Sequence, residues 1–142
     1  MRKQIEKMVV EAMEDDRIEV YFQPIYNIST GTFTGAEALV RIRLLDGTIV
    51  FPNDFIPIVE ETGRIIPLSD SIYKKVLSFI KSYRVEKLGI EKIELNLSVK
   101  QGESPVFVNR FLELLGKNAV TPSLLNFEIT ETSSLQSKEN LL

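Results

Sequence analysis

The sequence lacks cysteine, histidine and tryptophan altogether. Without cysteine and histidine, the chain cannot form Ser–His or Cys–His nucleophilic sites, thiolate zinc sites or disulfides. Any metal must therefore be held by oxygen atoms of Asp, Glu, Asn or backbone carbonyls, which favours hard cations such as Mg²⁺, Mn²⁺ or Ca²⁺. A chain free of cysteine is also compatible with the cytoplasm. We expect that compartment, with any membrane tether supplied by an upstream segment.

Long apolar runs and an excess of positive charge are missing too. The apolar runs are a few residues long, far below the ~20 that span a bilayer. Residues 1–16 lack the apolar centre of a signal peptide, so we expect no membrane contact from this segment. With 17 basic and 20 acidic residues, the net charge is −3. This balance argues against a nucleic-acid polymer as partner, but it allows one small anionic ligand held by a metal and an arginine.

The hydrophobic pattern predicts one α/β domain, since 142 residues suffice for one ordinary domain. Residues 1–17 are interpreted as a lead-in or linker helix. The next two strands form a hairpin and are therefore antiparallel. From the third strand onward the order is β-α-β, which is typical of a parallel sheet or barrel. The predicted strands are 18–25, 33–42, 90–97 and 124–130, and the predicted later helices begin at Pro52, at Ser69 or Asp70, and at Ser104-Pro105.

Three acidic or amide positions near strand ends are candidates for metal binding. Glu37 lies in an otherwise apolar run, where a carboxylate is either a buried ion-pair partner or a metal ligand. Taken alone, Asn96 is better explained as an amide that satisfies a neighbouring strand or loop, although its oxygen can bind a hard metal. Glu128 and Glu131 bracket the end of a strand. They form either a solvated strand terminus or a ligand with a supporting carboxylate.

Arg41 shares the face of Glu37, because residues four apart in an extended strand point the same way. Arginine binds phosphate with two parallel hydrogen bonds, and a phosphate beside a metal is a common pairing. Arg43 continues this face toward solvent. Gln23 comes from the neighbouring strand of the hairpin as a polar group for a ligand edge.

Apart from Arg43, these residues lie in four of six short motifs that resemble those of the EAL-domain family of cyclic-di-GMP phosphodiesterases. The order and spacing of the motifs match that family over nearly the whole chain from about residue 18. The motifs are YFQPI at 21–25, GAEALVR at 35–41, P-x-x-FIP at 52–57, EETG at 60–63, NLS-x-x-Q at 96–101 and EITET at 128–132.

The resemblance implies a TIM-like (β/α) barrel whose first strand is antiparallel, with the active site at the carboxyl ends of the strands. It implies cleavage of one phosphodiester bond of cyclic-di-GMP to give linear pGpG, assisted by Mg²⁺ or Mn²⁺ that polarises the phosphate and activates water. By motif match, the metal ligands are Glu37, Asn96 and Glu128. The catalytic residues are Glu37 and Glu131, and the substrate-binding residues are Gln23, Leu39 and Arg41.

The sequence departs from the family pattern in two respects. Ile42 stands where the family usually has Trp, which we expect to change packing more than chemistry. The family's later Asp-Asp-Phe-Gly segment, its catalytic lysine and a further glutamate lie beyond Leu142. We therefore expect residues 18–142 to form the N-terminal half of an EAL domain, a barrel truncated after about four of eight strands.

That expectation leaves three functional hypotheses. In the first, the parent protein is an active phosphodiesterase, and this segment alone is inactive and forms a homodimer that covers its exposed edges. In the second, the domain is a degenerate EAL domain that binds cyclic-di-GMP as a receptor. In the third, the chain is an interaction or scaffold module.

Overall fold

The computed structural model describes residues 2–97 and 99–129 of the chain. Helices and strands alternate along most of this part. The strands are β1 (Ile18–Asn27), β2 (Thr32–Arg43), β3 (Ile49–Val50), β4 (Lys92–Leu97) and β5 (Leu125–Ile129). The helices are α1 (Arg2–Glu14), α2 (Pro52–Glu61), α3 (Ile65–Tyr83), α4 (Val99–Gly102) and α5 (Pro105–Asn118), with 3₁₀ turns at Val85–Leu88 and Pro122–Leu124.

The described strands form one mixed sheet in the order β1-β2-β4-β5. β1 and β2 pair antiparallel, whereas β2, β4 and β5 are parallel to one another. The predicted hairpin and the predicted β-α-β order are both confirmed. The sequence pattern did not predict β3, which pairs with Ile42 and Arg43 at the carboxyl end of β2.

The helices cover one face of this sheet because alternate strand residues are apolar. Ala36, Ala38 and Ile42 of β2 are buried on the helix side, as are Ile93 and Leu95 of β4. The side chains between them in sequence point to the opposite face, since successive strand residues alternate.

The helical side holds two apolar clusters. In one of them, Val9 and Ala12 of α1 pack with Phe55 of α2 and with Ile42. The other joins α3 and α5 to the centre of the sheet. Because α1 contributes to a core, it is packed on the domain, while the division of the chain at residue 17 stays a prediction.

Two helices differ from the sequence prediction. α3 begins at Ile65, four residues before the predicted cap, and Ser69 is buried inside it with its hydroxyl donating to the Ile65 carbonyl at 2.6 Å. Pro67 does not prevent this early start, because N–H groups in the first helical turn have no partner within the helix. In α5, helical spacing in the sequence predicts a core face of Val108, Phe111, Leu112 and Leu115. The structure instead buries Phe107, Phe111, Leu114 and Leu115.

The described helices are all too short or too polar to cross a bilayer.

Candidate functional site

The face of the sheet that points away from the helices carries polar side chains in two rows. The strand register aligns Gln23 with Glu37 and Glu37 with Glu94. Asn126 extends this first row on β5. Asn96 and Glu128 are register partners two residues further along their strands, toward the carboxyl ends. Side chains from four strands thus lie side by side across the polar face. This band lies toward the carboxyl ends of β4 and β5, and we call it the polar edge.

The structure brings three of the sequence-predicted residues together. The Asn96 side-chain nitrogen donates to Glu37 Oε1 at 3.4 Å. Glu37 also contributes to the electrostatic environment of Glu128. Gln23 lies directly across from Glu37 in the hairpin register. Leu39 lies on the same face as Glu37, two residues further along β2.

Two polar residues of this surface were missed by the sequence prediction. Glu94 precedes Asn96 by two residues and Asn126 precedes Glu128 by two, so each shares a face with its predicted neighbour. The Asn126 side-chain nitrogen donates to Glu94 Oε2 at 3.1 Å. The signal that could have revealed both residues is the alternation of side chains along a strand.

The pKa of Glu128 is affected most strongly by the neighbouring carboxylates. A hydrogen bond with the Glu94 side chain raises the pKa of Glu128, and desolvation by neighbouring groups and the negative charges of Glu94 and Glu37 raise it further. Crowded carboxylates favour either a shared proton or a bound cation, since each negative charge penalises the next.

The donor set fits a hard divalent cation, because its groups are carboxylates and side-chain amides. Within residues 2–97 and 99–129, no three acidic side chains already cluster tightly enough to hold a metal. A divalent cation at this site would therefore need the Asn96 amide oxygen as a ligand in addition to the carboxylates of Glu37 and Glu128. Rotating the Asn96 amide by 180° would turn its oxygen, instead of its nitrogen, toward Glu37 and a cation there.

Helix α3 is hydrogen-bonded to the end of β4, and α4 is hydrogen-bonded to α3. The hydroxyl of Tyr73 donates to the backbone carbonyl of Asn96 at 3.0 Å. Burial raises the pKa of Tyr73 well above its usual range, so the hydroxyl stays protonated as a donor. Gln101, the last residue of the NLS-x-x-Q motif, is buried and donates to the Ser69 hydroxyl. That glutamine has a structural role between α4 and α3.

The two arginines of β2 are bound differently. Arg43 donates to the Glu19 carboxylate at 2.6 and 3.1 Å and to the Tyr21 hydroxyl at 3.1 Å. The Arg43 side chain is 43% exposed, so it lies at the solvent surface as expected, and β1 also places an acid within its reach. Arg41 donates to the Val40 carbonyl at 2.7 Å and lies over the Phe51 ring.

A cavity of about 560 Å³ opens beside this polar edge. Leu39 and Asn96 lie at its boundary, and most of its wall is apolar. Asn53 and Glu60 are among its polar lining residues. It touches the predicted site through Leu39 and Asn96, while Ser69, Tyr73 and Leu95 of its wall belong to the helical side of the sheet.

Two further residues of the sequence prediction have different outcomes. Glu131 lies outside the described residues. Ile42 is fully buried on the helix side, opposite the face of Glu37, which agrees with a role in packing.

Comparisons with known proteins match this architecture. The EAL domain profile matches residues 6–142. An uncharacterized protein of Synechocystis sp. is 31% identical over 144 residues, covering 99% of this chain and 21% of that protein. The probable cyclic di-GMP phosphodiesterase PdeG of Escherichia coli is 30% identical over 139 residues, covering 96% of this chain and 27% of PdeG.

A solved structure gives the same result for the fold. The EAL enzyme Bd1971, in its cAMP- and cyclic-di-GMP-bound form, superposes with a TM-score of 0.82 at 26% identity, covering 95% of this chain and 38% of that one. This likeness confirms the TIM-like α/β fold with its antiparallel first strand. The chain spans only 21% and 27% of the two relatives named above. Its profile match and its strand arrangement show that the chain belongs to the EAL domain family.

Proposed function

We propose that the protein containing this chain is a cyclic-di-GMP phosphodiesterase that opens the ring to linear pGpG. One observation carries the proposal: Glu37, Asn96 and Glu128, from three neighbouring parallel strands, lie together on the polar face of an EAL domain. The names of PdeG and of the Bd1971 complex support cyclic-di-GMP as the ligand.

The proposed roles follow from the chemistry of each side chain. Glu37, Asn96 and Glu128 would hold Mg²⁺ or Mn²⁺, since all three can offer oxygen atoms. A bound divalent cation supplies polarisation of the phosphate and an activated water. Arg41 binds a phosphate of the dinucleotide, and Gln23 and Leu39 contact the ligand beside Glu37. Glu131, three residues after Glu128, supports the site.

The net reaction adds one water across one phosphodiester bond. One P–O bond forms to the water oxygen and one P–O ester bond breaks, leaving a terminal phosphate and a free sugar hydroxyl. The protein must hold the reacting phosphate in line with water and keep the leaving oxygen opposite it. The carboxylates and Arg41 lie on one face of the sheet, as this positioning requires.

The test is hydrolysis by the complete purified protein with Mg²⁺ or Mn²⁺, followed by chromatographic detection of pGpG. We expect Glu37→Gln to lower kcat at least about a hundredfold, since it removes a ligand charge without changing side-chain size. Glu86→Gln, in the turn before β4, is the matched control and should retain wild-type kcat. Absence of both binding and hydrolysis in the wild type would refute the proposal. Tight binding without hydrolysis would instead assign the receptor function.

We also propose that residues 1–142 alone do not hydrolyse the dinucleotide and associate as a homodimer. A closed TIM barrel draws its site from eight strands, whereas the described sheet supplies its polar edge from four. Val106, Leu112 and Ile129 are more than half exposed, and these apolar surfaces favour association.

A further inference from the structure

We propose that Phe51 is a positioning residue that holds the Arg41 guanidinium ready for a phosphate of the ligand. This inference rests on the proposed function of the site. Phe51 lies outside the motifs that support the family assignment, in the segment between β3 and α2. Its contact with Arg41 follows from a strand pairing that the sequence pattern did not predict.

Strand β3 brings Phe51 to the polar face of the sheet. Val50 is the register partner of Ile42. Continuing that antiparallel register by one residue places Phe51 opposite Arg41, on the same face as Glu37. The Arg41 Cζ atom lies 4.5 Å from the centre of the Phe51 ring. This distance is well inside the ~6 Å range of cation–π attraction.

A second contact involves one nitrogen atom of the guanidinium. Arg41 Nη1 donates to the backbone carbonyl of Val40 at 2.7 Å. A free arginine side chain samples many rotamers and loses that freedom when it binds an anion. A ring contact and a carbonyl contact together reduce that entropy loss before the ligand arrives.

The comparison with Arg43 explains why Arg41 is suited to bind an anion. Arg43 donates to the carboxylate of Glu19, so its charge is neutralised within the protein. The two contacts described for Arg41 involve uncharged groups, the aromatic ring and a peptide carbonyl. They orient the guanidinium without cancelling its positive charge.

Phe51 is not required for the core. The residue is 53% exposed. It is the N-cap residue of α2, and its phenyl ring has no hydrogen-bonding atom with which to cap that helix. A purely incidental exposed aromatic residue would therefore be replaceable by leucine without any effect on ligand binding.

The experiment measures the Kd of cyclic-di-GMP for the complete protein by calorimetry in chelator, where no turnover occurs, and then KM and kcat with Mn²⁺. We expect Phe51→Leu to raise Kd and KM about two- to fivefold with little change in kcat, as expected for loss of an exposed cation–π contact. Phe51→Tyr keeps the aromatic face and should match the wild type. Phe33→Leu, a similarly exposed aromatic on the hairpin, is the matched control.

A double-mutant cycle with Arg41→Gln separates action through Arg41 from direct contact with the ligand. Phe51→Leu should have no further effect on Kd in the Arg41→Gln background. An equal loss in both backgrounds would mean that the ring contacts the nucleotide itself, which overturns the proposal.

If Arg41→Gln binds the dinucleotide too weakly for this cycle, NMR of the ligand-free protein tests whether the Phe51 ring contacts Arg41. The Arg41 side-chain resonances should show a ring-current shift that Phe51→Leu removes, and absence of that shift would also overturn the proposal. A wild type that binds the dinucleotide while Phe51→Leu binds equally well contradicts only this inference. A wild type that neither binds nor hydrolyses contradicts the proposed function.

Discussion

Glu94 shows how one side chain changes the chemistry of its neighbours. It is aligned with Glu37 on one side and with Asn126 on the other, and its side chain reaches Glu128. The hydrogen bond from Asn126 fixes one of its carboxylate oxygens. A fixed acid of this kind adds negative charge to the place where the proposed cation binds, and it orients Glu128.

We therefore expect Glu94→Gln to weaken Mn²⁺ binding about tenfold, the low end of the effects seen when a partner of a metal ligand is removed. The measurement is calorimetric titration of Mn²⁺ into the complete protein without substrate. Glu91→Gln, just before β4, is the control. An unchanged Mn²⁺ affinity in Glu94→Gln would show that this carboxylate lies outside the metal site.

Glu19 gives a pH-dependent prediction. Hydrogen bonds from Arg43 and Tyr21 lower the pKa of Glu19 below its usual value. A carboxyl group with a lowered pKa in the folded state stabilises the fold at pH values above its unfolded pKa. That stabilisation disappears as the pH falls through the folded pKa.

Thermal unfolding of wild type and Glu19→Gln should therefore differ most near neutral pH and converge below pH ~4. The difference should be small and should shrink with salt, because the pair is partly exposed to solvent. Asp46→Asn, in the turn after β2, should not reproduce the salt dependence, because its lowered pKa arises mainly from a backbone hydrogen bond. A pH-independent difference for Glu19→Gln would contradict this account.

At the scale of single residues, the motifs named polar residues that the structure brings together, but they did not name all of the neighbours of those residues. Glu37, Asn96 and Glu128 stand in recognisable motifs, and the structure places them together. Glu94 and Phe51 lie outside those motifs. Glu94 follows from strand alternation, but Phe51 depends on the two-residue pairing of β3, which is too short to give a periodic signal.

At the scale of elements, α3 couples the helical core to the polar edge. Tyr73 is buried against Phe107, Phe111 and Phe127, and its hydroxyl reaches the Asn96 carbonyl. The aromatic packing fixes the Tyr73 ring, so the hydrogen bond from its hydroxyl restrains the carboxyl end of β4. A change in α3 can therefore displace Asn96, a proposed metal ligand, because Tyr73 of α3 is bonded to the backbone of that residue.

We expect Tyr73→Phe to lower the free energy of unfolding by about 1–2 kcal/mol, because it leaves the Asn96 carbonyl without this donor. It should also weaken Mn²⁺ binding by a smaller factor than Asn96→Ala. Chemical denaturation and Mn²⁺ titration measure the two effects. Tyr83→Phe, at an exposed hydroxyl on the same helix, is the control and should change neither quantity.

The sequence predicted which helices and strands are present more reliably than it predicted where they begin and which of their residues are buried. Pro52 and Ser104-Pro105 begin helices as predicted, and the Ser104 hydroxyl accepts from the Phe107 amide at 3.3 Å. The start of α3 was predicted too late, because the serine that resembled a cap is a buried residue bonded to Ile65. Long-range packing decided that position, and a local pattern does not encode it.

At the scale of the whole molecule, the sheet has one covered face and one polar face, with β1 and β5 at its described edges. Strand edges offer unpaired backbone groups, and the exposed apolar residues of α5 add surface that another protein segment can cover. The resemblance to EAL proteins explained this architecture better than composition did, since composition alone fits many α/β domains.

We expect the isolated 142-residue chain to migrate as a dimer or larger species in light scattering coupled to gel filtration at micromolar concentration. Leu112→Glu should shift that equilibrium toward the monomer, because it places a charge on the exposed face of α5. Glu113→Gln, at the adjacent exposed position, is the control. A well-folded monomer of the unmodified chain would contradict the homodimer proposal.

The direction of the first strand has a practical consequence for protein engineering. Because β1 runs antiparallel to β2, the turn that joins them lies at the amino end of β2, away from the polar edge. Ile28 in that turn is 89% exposed. An epitope or a fluorescent reporter inserted between Ser29 and Thr30 would therefore extend away from the proposed ligand site, which makes this turn the tagging position expected to disturb that site least.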